Sequence, residues 1–258
     1  MPHFPTTQFM DAPDSRPHDA GRPKAARGRQ AVAAGPRTPS PPEDTTHTAL
    51  SSLSPSLLQD LMRFDLEGSA QRELLEVLAA CLRHTQPLAI AVAMPRQMLT
   101  LTVFPLDRLV HCPVPLAEFL DDDLRSLQVL QVQPARLRPP GSAELTRVAS
   151  AALYSPLGPL LWGVALQGAR NALLPEIAGP AVYRVAPGLD IAGLPATGAL
   201  VAAIQRLARQ TASLRELSDW PGLDRERAIR LLNALYLQSG LIVSRTHPAA
   251  TNEGWTGY

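Results

Sequence analysis

Residues 213–243, SLRELSDWPGLDRERAIRLLNALYLQSGLIV, decide the reading of the carboxy-terminal part of this chain. Ser213 and Glu216 have the S-x-x-E spacing of a capping box, in which a hydroxyl and a carboxylate each satisfy an orphan amide at a helix start. Leu214 and Leu217 give that helix its buried side, and Pro221-Gly222 forces a turn. Asp224 is placed to cap the next helix. At ~100° per residue, Ala228, Ile229, Leu231, Leu232, Leu235 and Tyr236 share one broad face of it, which leaves Glu226, Arg227, Arg230, Asn233, Ala234, Leu237 and Gln238 outside. Gly240 then reads as the C′ residue and Leu241-Ile242-Val243 as the start of a strand. An earlier helix spans 198–210, with Thr197 as its expected cap and Leu200, Val201, Ile204, Leu207 and Ala208 facing inward.

The succession of Leu214, Glu216, Leu217, the turn Gly222, Leu223 and a helix closing on Gly240-Leu241-Ile242 resembles the winged helix-turn-helix domains of bacterial regulators. The resemblance implies a domain that reads DNA or docks on another protein and rarely performs chemistry. It also makes the last helix the recognition element. The expected partner or DNA face is therefore Glu226, Arg227, Arg230, Asn233, Ala234 and Leu237, with Arg245 and His247 on a wing. Arg227, Arg230 and Asn233 are types that contact bases or phosphates, whereas Ala234 and Leu237 suit a protein anchor. Residues 197–258 hold seven arginines and five acids, a net charge of +2 that is small for a module drawing its affinity from phosphate neutralisation. Pro248 interrupts any hairpin after Val243. Protein docking is the expected role and DNA binding the alternative.

Upstream the period changes. Leu74, Leu78, Cys81 and Leu82 recur at helical spacing within 69–84, after a shorter expected helix over 57–64 with Ser54 and Ser56 as candidate caps. Leu88, Ile90, Val92 and Met94 then alternate with Ala89, Ala91 and Ala93, and Leu99, Leu101 and Val103 alternate with Thr100 and Thr102, the pattern of a hairpin. A third strand is expected over 108–112, a helix over 116–127, a strand over 129–132 and a helix over 143–153. The apolar run 160–166 fits a buried helix or strand, with helix preferred, and 181–185 reads as a strand.

Residues 1–56 carry ten prolines and almost no aliphatic period, so they bury too little apolar surface to offset their ordering entropy. The expected class is α+β: a disordered proline-rich tail (1–56), a small antiparallel-sheet domain with flanking helices (57–190), and a mostly α winged-helix-like domain with a short tail (191–258).

Composition narrows the function. The formal net charge is +1, and the basic excess from Arg16 to Arg37 reads as a solvated linker. Cys81 and Cys112 lack metal or redox spacing and read as core residues. No phosphate-binding glycine loop, H-E-x-x-H, zinc-type cysteine pair or nucleophile elbow occurs, and Asp121-Asp122-Asp123 on one helix would splay too widely to share an ion. His111 and Cys112, adjacent on a strand, would point to opposite faces. No secretory signal or spanning segment is present. The expectation is a cytoplasmic, non-enzymatic bacterial regulatory or adaptor protein. It has a protein partner, no catalytic residue, no cofactor or metal, and no membrane insertion.

Overall fold

Leu88, Ile90 and Val92 form the buried side of strand β1 (Leu88–Ala93) in the computed structural model, which describes residues 53–66 and 73–245. β1 pairs antiparallel with β2 (Met98–Phe104), so that Leu88 faces Val103, Ile90 faces Leu101 and Val92 faces Leu99 across the hairpin. β3 (Leu109–His111) continues the meander, β4 (Gln128–Pro134) joins the other side of β1, and β5 (Tyr154–Pro156) joins β3. The result is a five-stranded antiparallel sheet in the order β4-β1-β2-β3-β5. Helices α1 (Pro55–Leu66), α2 (Leu74–His84), α3 (Leu116–Asp121) and α4 (Leu157–Gln167) accompany it. Among these, Ser54 caps α1 by accepting the Leu57 amide through its hydroxyl.

A second sheet, of three strands, has the order β7-β6-β8, with β6 (Val182–Val185) between β7 (Ala212–Ser213) and β8 (Leu241–Ser244). Around it lie α5 (Ala199–Arg209), α6 (Leu214–Ser218) and α7 (Arg225–Leu237). The capping box is complete: Ser213 accepts the Glu216 amide through its hydroxyl, and the Glu216 carboxylate accepts the Ser213 amide at 2.7 Å. Asp224 caps α7 by accepting the Arg227 amide at 2.7 Å. Gly222 sits at φ +76 in the turn between α6 and α7, where a Cβ would also meet that of Ala199 at 2.6 Å.

Several local expectations are corrected. The helix expected over 116–127 stops at Asp121, because the Asp122 and Asp123 carboxylates accept the amides of Asp123 and Arg125 and turn the chain. The helix expected over 143–153 is two short 3-10 turns, Leu145–Arg147 and Ala151–Leu153. The Ala149 amide is taken instead by the Tyr154 hydroxyl and the Arg147 carbonyl by the Arg138 amide. Gly198, not Thr197, stands at the α5 N-cap, without a side-chain bond. At the end of α7 the left-handed residue is Ser239, at φ +58, and the amides of Gly240 and Ser239 close a Schellman pair on the carbonyls of Leu235 and Tyr236. Gly240 answers a different need, since a Cβ there would stand 2.4 Å from Leu189 Cδ1. The strand after α7 pairs with β6, which precedes α5.

One apolar cluster runs through both sheets, from Leu53 to Leu237. Cys81 and Cys112 are buried in it with free thiols, as their apolar surroundings imply. No helix among the described residues is long and apolar enough to cross a membrane. The expected proline-rich tail lies outside the described residues up to position 52, as do His247 and the end of the chain.

On the outer face of the larger sheet, Thr102, His111 and Tyr154 stand side by side on neighbouring strands. His111 is buried against the edge of Tyr154, with ring centroids 5.2 Å apart, and neither ring nitrogen has a hydrogen-bond partner among the described residues. Burial holds its pKa below the usual value. The fold therefore favours the neutral imidazole, whereas the unfolded chain protonates below its unshifted pKa of about 6.5. Stability from this residue is present above that value and is lost as the pH falls through the lower folded pKa. His111→Phe is expected to flatten the fall of the urea unfolding midpoint between about pH 7 and pH 5. An identical acid dependence in the two proteins would contradict the burial.

Candidate functional site

The α7 helix presents its two sides to different neighbours. The apolar side defined by Ala228, Ile229, Leu231, Leu232 and Leu235 is buried as the sequence implies. The side expected to face outward is buried too along most of its length: Arg230 is 8% exposed, Asn233 and Ala234 0%, and Leu237 1%. Only Glu226 and Arg227 remain exposed among the six residues assigned to the partner or DNA face. The correction has a physical cause in α4, whose sequence LGPLLWGVALQ is apolar on every side and demands cover all round. The two helices pack together, and Arg230 on the second face of α7 bonds the end of α4.

The polar residues on that face bind the chain's own backbone. Asn233 accepts the Leu174 amide through Oδ1 at 2.9 Å and donates from Nδ2 to the Ala172 carbonyl at 3.0 Å. The same carbonyl accepts from Arg170 Nε at 3.0 Å, and Arg170 Nη1 pairs with Glu73 at 3.0 Å and with Glu76 at the start of α2. Segment 170–174 is thus tied to α2 on one side and to α7 on the other. Arg230 donates from Nη1 to the Leu166 carbonyl at the end of α4, at 3.1 Å, while its buried Nε has no acceptor among the described residues. Near the other end of α4, Gln238 donates to the Gly158 carbonyl at 2.8 Å and accepts from Arg108 Nη2 at 3.3 Å. Arg245, expected on a wing, donates to the carbonyls of Glu176 and Ala178 at 3.0 and 3.1 Å.

What stays open is the N-terminal end of α7. A cleft of about 420 Å³ lies there between α7, the first turn of α5, the end of α4 and the loop after α3. Leu166 and Leu200 give it apolar walls. Arg125, Arg227 and Arg230 bring three guanidinium groups to its lining, and Asp224 and Glu226 bring two carboxylates. Glu226 Oε1 is 2.7 Å from Arg230 Nη2 and 4.0 Å from Arg125 Nη2, so one carboxylate oxygen lies between two cations. The Arg227 guanidinium takes part in no ion pair among the described residues; its backbone amide donates to Asp224.

The arrangement can hold an anion beside an apolar group. It brings no nucleophile together with a general base, and among the described residues no group of three or more His, Cys, Asp or Glu side chains is placed to hold a metal ion. Sequence reasoning found Glu226, Arg227 and Arg230 and missed Arg125, Leu166 and Leu200. Arg125 follows three aspartates in a turn, and nothing in its neighbours marks it as reaching α7. The apolar run around Leu160 to Leu166 carried the available signal, because a helix without a polar side leaves its ends next to whatever covers it.

No family model, curated protein or solved structure matches this chain.

Asn233 offers a direct check of the buried face. Asn233→Ala would leave the Leu174 amide and the Ala172 carbonyl short of a buried partner, a loss of about 2–3 kcal/mol. The urea midpoint is expected to fall accordingly, with the slope of the transition unchanged. A change within experimental error would mean that the side chain faces water.

Proposed function

We propose that this chain is a non-enzymatic regulatory or adaptor protein of the bacterial cytoplasm, and that its carboxy-terminal unit is winged-helix-like and docks a protein partner at the N-terminal end of α7. The order of α5, β7, α6, a glycine turn, α7 and β8 supports the winged-helix reading. The observation that carries the docking role is the burial of Arg230, Asn233, Ala234 and Leu237 against α4 and segment 170–174. A helix reads the major groove by laying one side chain row into it, and here that row is already engaged. Insertion into DNA would require breaking the bonds to Leu166, Ala172 and Leu174 and uncovering α4, which is apolar on every side. Docking at the cleft requires neither.

DNA binding remains the second reading because Arg225 and Arg227 are exposed in the first turn of α7, the part of a recognition helix that meets base edges. The two readings separate in one experiment on the purified chain. Genomic fragments are expected to yield no enriched sequence, and duplex binding is expected to be weak and lost at physiological salt. A photo-crosslinking side chain at position 227 is expected to capture one protein that then binds the purified chain directly, whereas the same group at exposed Met98, in the larger sheet, does not. One enriched DNA sequence, bound in physiological salt and released by Arg225→Ala with Arg227→Ala, would overturn the docking role.

A further inference from the structure

Resting on the docking role at the cleft, we infer that the cleft accepts a glutamate or aspartate of the partner protein, flanked by an apolar residue, and that Glu226 holds the carboxylate position until the partner takes it. Three observations carry this. The first is the composition of the lining: three guanidinium groups from two separate segments stand against two carboxylates, a surplus of one positive charge. That surplus matches a single carboxylate and disfavours a doubly charged phosphate brought next to Asp224 and Glu226. The second is the state of Glu226 itself. Its carboxylate already lies between Arg230 and Arg125, which shows what the position receives, and its side chain is 51% exposed. An incoming carboxylate would meet the same two guanidinium groups, so it can replace Glu226 one for one and let that half-exposed side chain turn to water.

The third is the fixed position of Arg230. Its guanidinium is buried and held by the Leu166 carbonyl, so the fork that would meet the carboxylate is set before binding and loses little entropy on engagement. Arg227, exposed and without an ion pair among the described residues, supplies a second cation at the rim. Leu166 and Leu200 offer an apolar wall for the neighbouring partner residue.

The test follows the side-chain Nε–Hε resonances of Arg125 and Arg227 in the full chain. The probes are an acidic peptide, GSELELGS, its glutamine counterpart GSQLQLGS, inorganic phosphate and a short DNA duplex. The acidic peptide is expected to shift both resonances to saturation and the glutamine peptide to leave them in place. Glu226→Gln is expected to tighten the acidic peptide by about 3–5-fold because the resident carboxylate is gone, and Arg227→Ala to weaken it by about as much. Equal effects of the two peptides, no shift with either, weaker binding in Glu226→Gln, or stronger binding of phosphate or DNA than of the acidic peptide would each overturn the inference. If the acidic peptide fails while the crosslink at position 227 still captures a partner that binds directly, the docking role stands and only the acidic specificity falls. If the crosslink fails as well, both fall.

Discussion

The enclosure of α7 by α4 and segment 170–174, fixed by Arg230, Asn233 and Gln238, is the constraint on which the rest depends. α4 is apolar on every side and has to be enclosed, while α7 is apolar on one side and carries Arg230, Asn233 and Gln238 on or beside the other. Two apolar surfaces alone would slide, because burial of area is not directional. The three polar side chains remove that freedom. Arg230 reads the carbonyl at the end of α4, Asn233 reads the Ala172 carbonyl and the Leu174 amide, and Gln238 reads a carbonyl in the first turn of α4. A shift of one turn would leave Arg230 and Asn233 buried and unpaired, at a cost of the order of 1–3 kcal/mol per group.

The same contacts decide what the surface can do. Because the middle and end of α7 are enclosed, the open part of the helix shrinks to its first turn, and the charged groups there meet Arg125 from the loop after α3 and the leucines of α4 and α5. A helix that would otherwise offer a long polar row thus offers a small cleft with mixed charge and apolar walls. Docking surfaces owe their energy to a few enclosed anchors more than to area, and in the proposed docking role this cleft would supply one charged anchor and one apolar contact.

The parts of the fold that were legible from sequence are those set by local chemistry. The capping box at Ser213 and Glu216 and the cap at Asp224 depend on residues three apart, and the hairpin of β1 and β2 depends on strict alternation. The wrong expectations came from partners distant in sequence. The Ala149 amide goes to Tyr154 and the Arg147 carbonyl to Arg138, so no continuous α-helix forms there. Most telling, Arg230 and Asn233 at helical spacing look like a wet face, yet their acceptors lie about sixty residues earlier in the chain. Periodicity reports that a side chain is polar; it does not report whether water or a backbone carbonyl satisfies it. Of the six residues that the helical angle puts opposite the apolar face, Glu226 and Arg227 are the exposed ones, because they lie in the first turn, ahead of the enclosed part of α7.

The central claim is that α7 is closed on its second side by segment 170–174, and the amide of Leu174 tests it most directly. In the native protein this amide donates to Asn233 Oδ1 at 2.9 Å and should exchange with solvent only through an opening that separates α7 from that segment. Hydrogen exchange of the intact chain is expected to show Leu174 protected to nearly the same degree as the interior amides of α7, with the protection lost in Asn233→Ala. Exchange of Leu174 at the rate of an unstructured peptide, while α7 stays protected, would contradict it.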